Sequence, residues 1–441
     1  MIWLKKQFQP VDNAPLVLFR IIFGFLIFAE TFGAILTGWV RKVLIEPDLT
    51  FTLIGFNWLQ PPDDGYSMYV YFGLMAVCGL CVMAGFYYRA SLATFTILWT
   101  CVYWMQKSSY NNHYYFLILL CLFMLVVPAH AYASFDAKRK NSVVSTTCPK
   151  WCISIFIFQL WIVYTFAAIQ KFYPGWLSGE FIQINFAGKT GYWLIGPALA
   201  KDWLQQMVIY GGIVFDGLII YFLLYKRTRI PAFIISIAFH LFNSIVFQIG
   251  IFPYLMIGLA VFFFEPEVIR KIFFKNKPIV KYDAFPLPSI GSRSIATCFL
   301  MIAYFSLQFY LPLRHHLYKG DVFYTEEGHR LAWRMMLRYK SGSISYQITS
   351  SDSTWVVQPK TFLTSKQSAA LPGKPDMVWQ FAQYLDKKYK KQGLGDVEVR
   401  ADGYARLNNQ PGFKLIDKNV DLSSVKWQSL KHADWILEPD K

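Results

Sequence analysis

Three ionisable side chains interrupt otherwise apolar stretches of this chain. They are His113 in Asn111-Asn112-His113-Tyr114-Tyr115, Lys171 in Ile169-Gln170-Lys171-Phe172, and His240 in Phe239-His240-Leu241-Phe242-Asn243. A charge in hydrocarbon is expensive, so such residues face a protein interior and mark a site. A buried amine without a partner is driven to its neutral form, and a neutral amine can take a proton from a weak acid such as a phenol or hydroquinone. A histidine beside it can hydrogen-bond the oxyanion that develops. Each residue also has a plainer reading. Lys171 precedes Pro174-Gly175-Trp176, so it can end its helix and snorkel to the interface. His113 can belong to an interfacial aromatic belt. His240 and Asn243 share a helix face and can bond each other or a neighbouring helix.

The elements that must position these residues are membrane spans. The chain is 55% hydrophobic, 19% aromatic and 16% charged. We read about nine apolar runs of spanning length, near residues 15–36, 67–86, 90–106, 113–133, 151–170, 206–225, 230–248, 251–265 and 294–312. Basic residues cluster in alternate connections: Lys5-Lys6, then Lys138-Arg139-Lys140 with Lys150, then Lys226, Arg227 and Arg229, then Arg270, Lys271, Lys275, Lys277 and Lys281. The positive-inside rule puts these on the cytoplasmic face and the C-terminal tail on the other. His113, Lys171 and His240 then share the outer half of the bilayer. Lys5-Lys6 and the first run read as an uncleaved first span. Arg20 lies near the inner end of that span and is expected to snorkel. Glu30 and Asp216 lie deeper, and a structural role is expected of both.

The net charge of +16 is therefore largely positive-inside charge, and no nucleic acid is expected as a partner. The seven cysteines fall in or beside the spans, none after Cys298. Cys78 and Cys81 lie on an apolar helix, where packing is the expected role. The carboxylate or third-histidine spacing of familiar metal sites is missing, so no metal is expected.

Beyond residue 312 the pattern changes. Ser343–Thr349 alternates with period two, and Ser350-Ser351-Asp352-Ser353 followed by Thr354–Val357 predicts a hairpin. Asp376 is expected to cap a helix whose Met377, Phe381, Tyr384 and Leu385 share a face, and Val397–Arg400 reads as a further strand. The expected architecture is thus a polytopic α-helical membrane protein over residues 1–312, followed by an extracytoplasmic α+β domain over residues 313–441.

The chain resembles the vitamin K-dependent gamma-glutamyl carboxylase family in its bacterial form, built on the horizontally transferred transmembrane (HTTM) domain. The resemblance is carried by Leu18-Phe19-Arg20 through Leu26, Asn111–Tyr115, Lys171 with Trp176, Tyr210-Gly211-Gly212 with Asp216, Phe239–Ser244 through Phe247–Tyr254, and Ala332-Trp333-Arg334-Met335-Met336. It implies that reduced vitamin K, or a related naphthohydroquinone, is deprotonated and oxygenated to its epoxide with O2. The strong base so formed takes a γ-proton from a protein glutamate, which then adds CO2. It implies Lys171 as the deprotonating base, assisted by Asn112 and His113. It places His240, Asn243, Met335 and Met336 around the quinone.

The expected partners are a Glu-containing peptide or protein and the lipid membrane. The tail carries about twenty Lys/Arg against about fourteen Asp/Glu, a bias suited to an acidic peptide. The expected location is a bacterial inner membrane, with the tail on its periplasmic or extracellular side. Two departures stand out: Gln170 precedes Lys171 where the animal enzyme has a second lysine, and the animal enzyme's disulfide has no cysteines here. The residues themselves leave two rivals open, a quinone epoxidase that carboxylates no protein and a non-enzymatic membrane transport or interaction module. The oligomeric state is not legible.

Overall fold

The computed structural model describes residues 2–193, 195–280 and 288–439. Each apolar run lies on a helix: α1 Ala14–Leu36, α2 Ser67–Ala84, α3 Tyr88–Met105, α4 Asn112–Val126, α5 Trp151–Ile169, α6 Asp202–Leu224, α7 Arg229–Phe247, α8 Phe252–Leu259 and, after α9 Pro266–Phe273, α10 Ser292–Leu313. Among the described residues, 6 helices are long and apolar enough to cross a membrane, namely α1, α2, α5, α6, α7 and α10. The apolar stretch from α8 to Phe263 turns by 114° into α9, and counting that pair as one span gives 7. A count of about nine needs α3, α4 and α8 to cross as well. Helix α4 has 15 residues, or about 22 Å of helix against about 30 Å of hydrocarbon. Helix α3 carries Arg89 and three threonines, which dilute its hydropathy.

Small residues let these helices approach closely, as expected where hydrocarbon surrounds the bundle. A Cβ on Gly24 would lie 2.2 Å from the Met83 backbone nitrogen, and one on Gly79 would lie 2.7 Å from that of Phe28, so α1 and α2 touch backbone to backbone. Their apolar side chains and those of α3, α4, α5 and α8 form one continuous core.

The connections sort into two groups by what they touch. At one end, β1 (Pro10–Asp12) pairs antiparallel with β2 (Thr147–Pro149), and Lys277 bonds Asp12 and the Thr146 carbonyl. Arg20 does not snorkel. It is 1% exposed and donates to the carbonyls of Ala129, Tyr132 and Ala133, so it holds the loop after α4 in place. Lys281, the last basic residue assigned to this end, lies outside the described residues.

At the other end sits the C-terminal unit. Strands β3 (Lys340–Thr349), β4 (Thr354–Val357), β5 (Glu398–Leu407) and β6 (Phe413–Lys414) form an antiparallel sheet in the order β4-β3-β5-β6. Helix α11 (Pro375–Lys391) buries Met377, Val378, Phe381 and Leu385 in one core with Tyr346, Ile348 and Val399 of the sheet. The hairpin closes at Ser350–Ser353, as the alternation predicts. Asp376 is not the cap of α11. It lies inside the first turn, where its carboxylate takes Lys107 and Arg330.

Three connections of the helical bundle dock on this unit. Gln367 and Gln380 donate to the carbonyls of Leu49 and Thr52 after α1, at 2.6 and 3.1 Å. Lys374 reaches Ser108 after α3 at 3.3 Å. Gln170, after α5, donates to Ala332 at 2.6 Å.

Candidate functional site

The segment from Glu326 to Arg338 joins the two halves and closes a cavity between them. Its backbone is left-handed at Glu326, Leu331, Trp333 and Met336, with φ between 52° and 64°. Bulky residues adopt this conformation only where their surroundings over-determine it. The surroundings here are specific. Trp333 is 1% exposed and packs on Tyr115 and Phe116 of α4, at ring separations of 5.1 and 6.0 Å. Asn112 donates to the Arg334 carbonyl at 2.8 Å and accepts from Tyr110, whose oxygen also takes the Leu331 N–H. These contacts press Met335 and Met336 down as the roof.

The cavity measures about 470 Å³, within the range typical of small-molecule sites. His113, Lys171, His240, Asn243, Met335 and Met336 all line it. Asn112 does not. Its amide donates to the Arg334 carbonyl and accepts from Tyr110, contacts that hold the roof segment.

Lys171 is held from three sides. It follows the last turn of α5, and its ammonium donates to the Ala167 carbonyl at 3.3 Å. It lies 5.4 Å from the Trp176 ring. Its third partner is the Asp216 carboxylate on α6, with which it forms a buried ion pair. Lys171 is thus neither a snorkelling lysine nor a lone amine. The sequence reading expected a structural role for Asp216 and did not pair it with Lys171; among the described residues it is the one carboxylate lining the cavity. An acid inside an apolar helix was the available signal, but its partner lies 45 positions away.

The histidines differ. His240 Nε2 is hydrogen-bonded to the Tyr164 hydroxyl of α5 at 2.9 Å, so its partner is a neighbouring helix and not Asn243. Asn243 donates to the Phe239 carbonyl at 2.9 Å, which turns its oxygen outward from its own helix. His113 stacks on Phe252 with rings 4.0 Å apart. Among the described residues neither of its ring nitrogens has a protein partner, so both remain available to a guest. Glu30 braces this wall from below by accepting the Ile251 N–H at the start of α8. Among the described residues no group of acids, histidines and cysteines is arranged to hold a metal ion.

Above the roof the chemistry turns basic. Arg334 donates to His315 at 2.9 Å, and Arg338 and Lys340 both reach Glu326. Burial lowers Arg334 to about 10 and Lys340 to about 8. Burial alone would raise Glu326, but Arg338 and Lys340 outweigh it and hold its carboxyl well below the ordinary range. Two layers result: an apolar chamber with a few polar groups, and a cationic layer outside it.

Two family models match this chain. The HTTM domain matches residues 8–267. The vitamin K-dependent gamma-carboxylase lumenal domain matches residues 293–441 and takes in α10, the 326–338 segment and the sheet. No solved structure matches the chain.

Proposed function

Because the chain belongs to the vitamin K-dependent gamma-carboxylase family, we propose that its cavity deprotonates a naphthohydroquinone and couples its oxygenation to carboxylation of protein glutamate. The observation that carries this reading is the convergence of Lys171, His113, His240 and the Met335-Met336 roof on one chamber. The lining is mostly apolar, with polar groups at few points, which suits a fused aromatic ring bearing two hydroxyls. When bound, the hydroquinone would supply, with O2, a base strong enough to take the γ-proton of a glutamate that then adds CO2.

The residues divide the work. The Lys171–Asp216 pair is neutral as a whole, so it can accept one proton without leaving an isolated charge in the chamber. Lys171 hands its own proton to Asp216 and takes one from the hydroquinone, so the extra proton rests on Asp216 and the Lys171 ammonium stands beside the new negative charge. His113, with free ring nitrogens, donates a hydrogen bond to the same oxygen. Tyr164 fixes the tautomer of His240 across the ring site. The roof keeps water from the strongly basic stage of the reaction. The cationic layer above it suits the approach of an acidic peptide.

The same reading sets the topology. We place about nine spans in a bacterial inner membrane, with the C-terminal unit on its outer side. The docking pattern supports it. The connections after α1, α3 and α5, which alternation puts outside, are those that touch the sheet unit. The N-terminal strand and the loops after α4 and α9, which alternation puts inside, touch one another.

The test is direct. Purified protein with reduced naphthoquinone, O2, labelled bicarbonate and a Glu-containing peptide should form quinone epoxide and labelled peptide together. Epoxide without label would convert the assignment to a quinone epoxidase. Neither product, under conditions where the hydroquinone binds, would leave a membrane module without this chemistry.

A further inference from the structure

The two histidines of the chamber are held in different ways. His240 is bonded to Tyr164, whereas among the described residues no protein group bonds the His113 ring. What fixes that ring is Phe252, which stacks on it at 4.0 Å with the planes 24° apart. Phe252 also stands edge-on to His240 at 6.4 Å, so it sits between the two. The orientation of His113 is therefore only as definite as the position of Phe252, the first residue of α8.

That position is set from α1. Glu30 accepts the Ile251 N–H at 3.3 Å, one residue before Phe252. The same carboxylate is bonded by the Tyr114 hydroxyl, one residue after His113. The turn between α7 and α8 is shaped to let the carboxylate in. Gly250 is left-handed there, with φ 64°, and a Cβ on it would lie 3.3 Å from Glu30 Oε2. Among the described residues no cation reaches Glu30, so both contacts are plain hydrogen bonds. One side chain on a third helix thus clamps the two backbones that carry the stacked rings.

We propose that Glu30 is a positioning residue for the reaction: by holding the start of α8 against the start of α4 it sets the His113–Phe252 stack, and with it the direction in which His113 donates. The proposal rests on the function assigned above and adds the group that orients its oxyanion donor. Glu30 lies behind the chamber wall and not on it, so it acts through His113 and touches no substrate. A donor serves an oxyanion only within a narrow range of distance, and a misplacement of about 1 Å can cost about a hundredfold in rate. The shell that holds a donor therefore matters nearly as much as the donor.

The experiment is a double-mutant cycle on the full chain in nanodiscs, read as turnover of reduced naphthoquinone. Glu30→Ala should lower kcat about a hundredfold with KM nearly unchanged. Glu30→Gln, which can keep both hydrogen bonds, should stay close to the parent chain. In a His113→Ala background Glu30→Ala should cost nothing further, since the ring it positions is gone. Phe252→Leu removes the stack and keeps the wall apolar. It should behave as Glu30→Ala does in both backgrounds, and it covers the case in which Glu30→Ala does not fold. Losses that multiply in the double variants, or a Gln variant as slow as the Ala variant, would overturn the proposal. A second readout needs no turnover. Acylation of His113 by diethyl pyrocarbonate, followed by mass spectrometry, should be severalfold faster in Glu30→Ala and Phe252→Leu than in the parent chain or Glu30→Gln. Unchanged acylation would also overturn it. Faster acylation in a chain that turns over no quinone would instead remove the proposed reaction and keep the positioning.

Discussion

Lys107 forms an ion pair with the Asp376 carboxylate at 2.6 Å, joining the turn after α3 to the first turn of α11. Neither side chain is more than 8% exposed. Arg330, at the edge of the roof segment, is the second cation on the same carboxylate. One acid therefore ties together the helical bundle, the sheet unit and the segment that closes the chamber.

Removing that acid should loosen the joint. Asp376→Asn leaves the buried Lys107 and the half-buried Arg330 without their counter-charge, a loss of roughly 3–5 kcal/mol. Faster limited proteolysis within residues 326–339, at unchanged membrane insertion, is the expected result.

The same joint should fail in acid. Burial would raise Asp376, but Arg330 and Lys107 outweigh it and hold its carboxyl well below the ordinary range. A carboxyl depressed on folding contributes stability that is complete above about pH 4 and is lost as the pH falls towards its folded-state value. Thermal unfolding from pH 7 to pH 3 should show a flat upper region and a decline below about pH 4 that is shallower in Asp376→Asn, where Glu326 remains to drive it.

Lys171→Ala should abolish epoxide and carboxylated peptide, since loss of a positioned base forfeits roughly two to four powers of ten. Lys171→Arg should not rescue, because a guanidinium does not surrender its proton. An active Arg variant would reduce position 171 to a positive charge.

Asp216→Asn separates the pair from the lone amine. If the proton comes to rest on Asp216, the amide should cost about as much as Lys171→Ala, two to four powers of ten. Near-normal turnover with a displaced pH–rate profile would make Lys171 the sole base.

His113→Ala should lower turnover by about two to three powers of ten, the usual cost of one oxyanion donor. Quinone affinity should change far less. A loss confined to affinity would make His113 a wall of the chamber and nothing more.

A reporter fused after Lys441 should be active outside the cytoplasm. Cytoplasmic activity would invert the topology and place the chamber on the wrong leaflet for a peptide arriving from outside.

Much of the site was legible because ionisable residues inside apolar runs are expensive, and His113, Lys171 and His240 stood out for that reason. The hairpin was legible from its period-two pattern and its serine-rich turn. Other parts depend on packing between distant elements. Asp216 meets Lys171 only because α6 lies against α5, and Tyr164 meets His240 only because α7, packed on α6, brings its histidine within reach of α5. Asp376 looked like a cap because caps favour aspartate. Its use for Lys107 depends on a turn 269 positions earlier, which no local pattern reports. Arg20 looked like a snorkelling residue, but the loop carbonyls at residues 129–133 offer it a nearer set of acceptors than the interface does. The roof was visible only through family resemblance, since nothing in a local pattern predicts left-handed backbone at Trp333 or Met336.

That roof fixes an order of events in biosynthesis. Helices α1 to α8, which carry Lys171, Asp216 and both histidines, leave the ribosome before the segment that covers them. The left-handed turns at Leu331, Trp333 and Met336 have no local reason to form, so they must await a finished bundle with Tyr115 and Phe116 already in place. Until then the chamber is an open vestibule that water can enter. A nascent or truncated chain ending before residue 326 would carry Lys171, Asp216 and both histidines in a chamber without its roof.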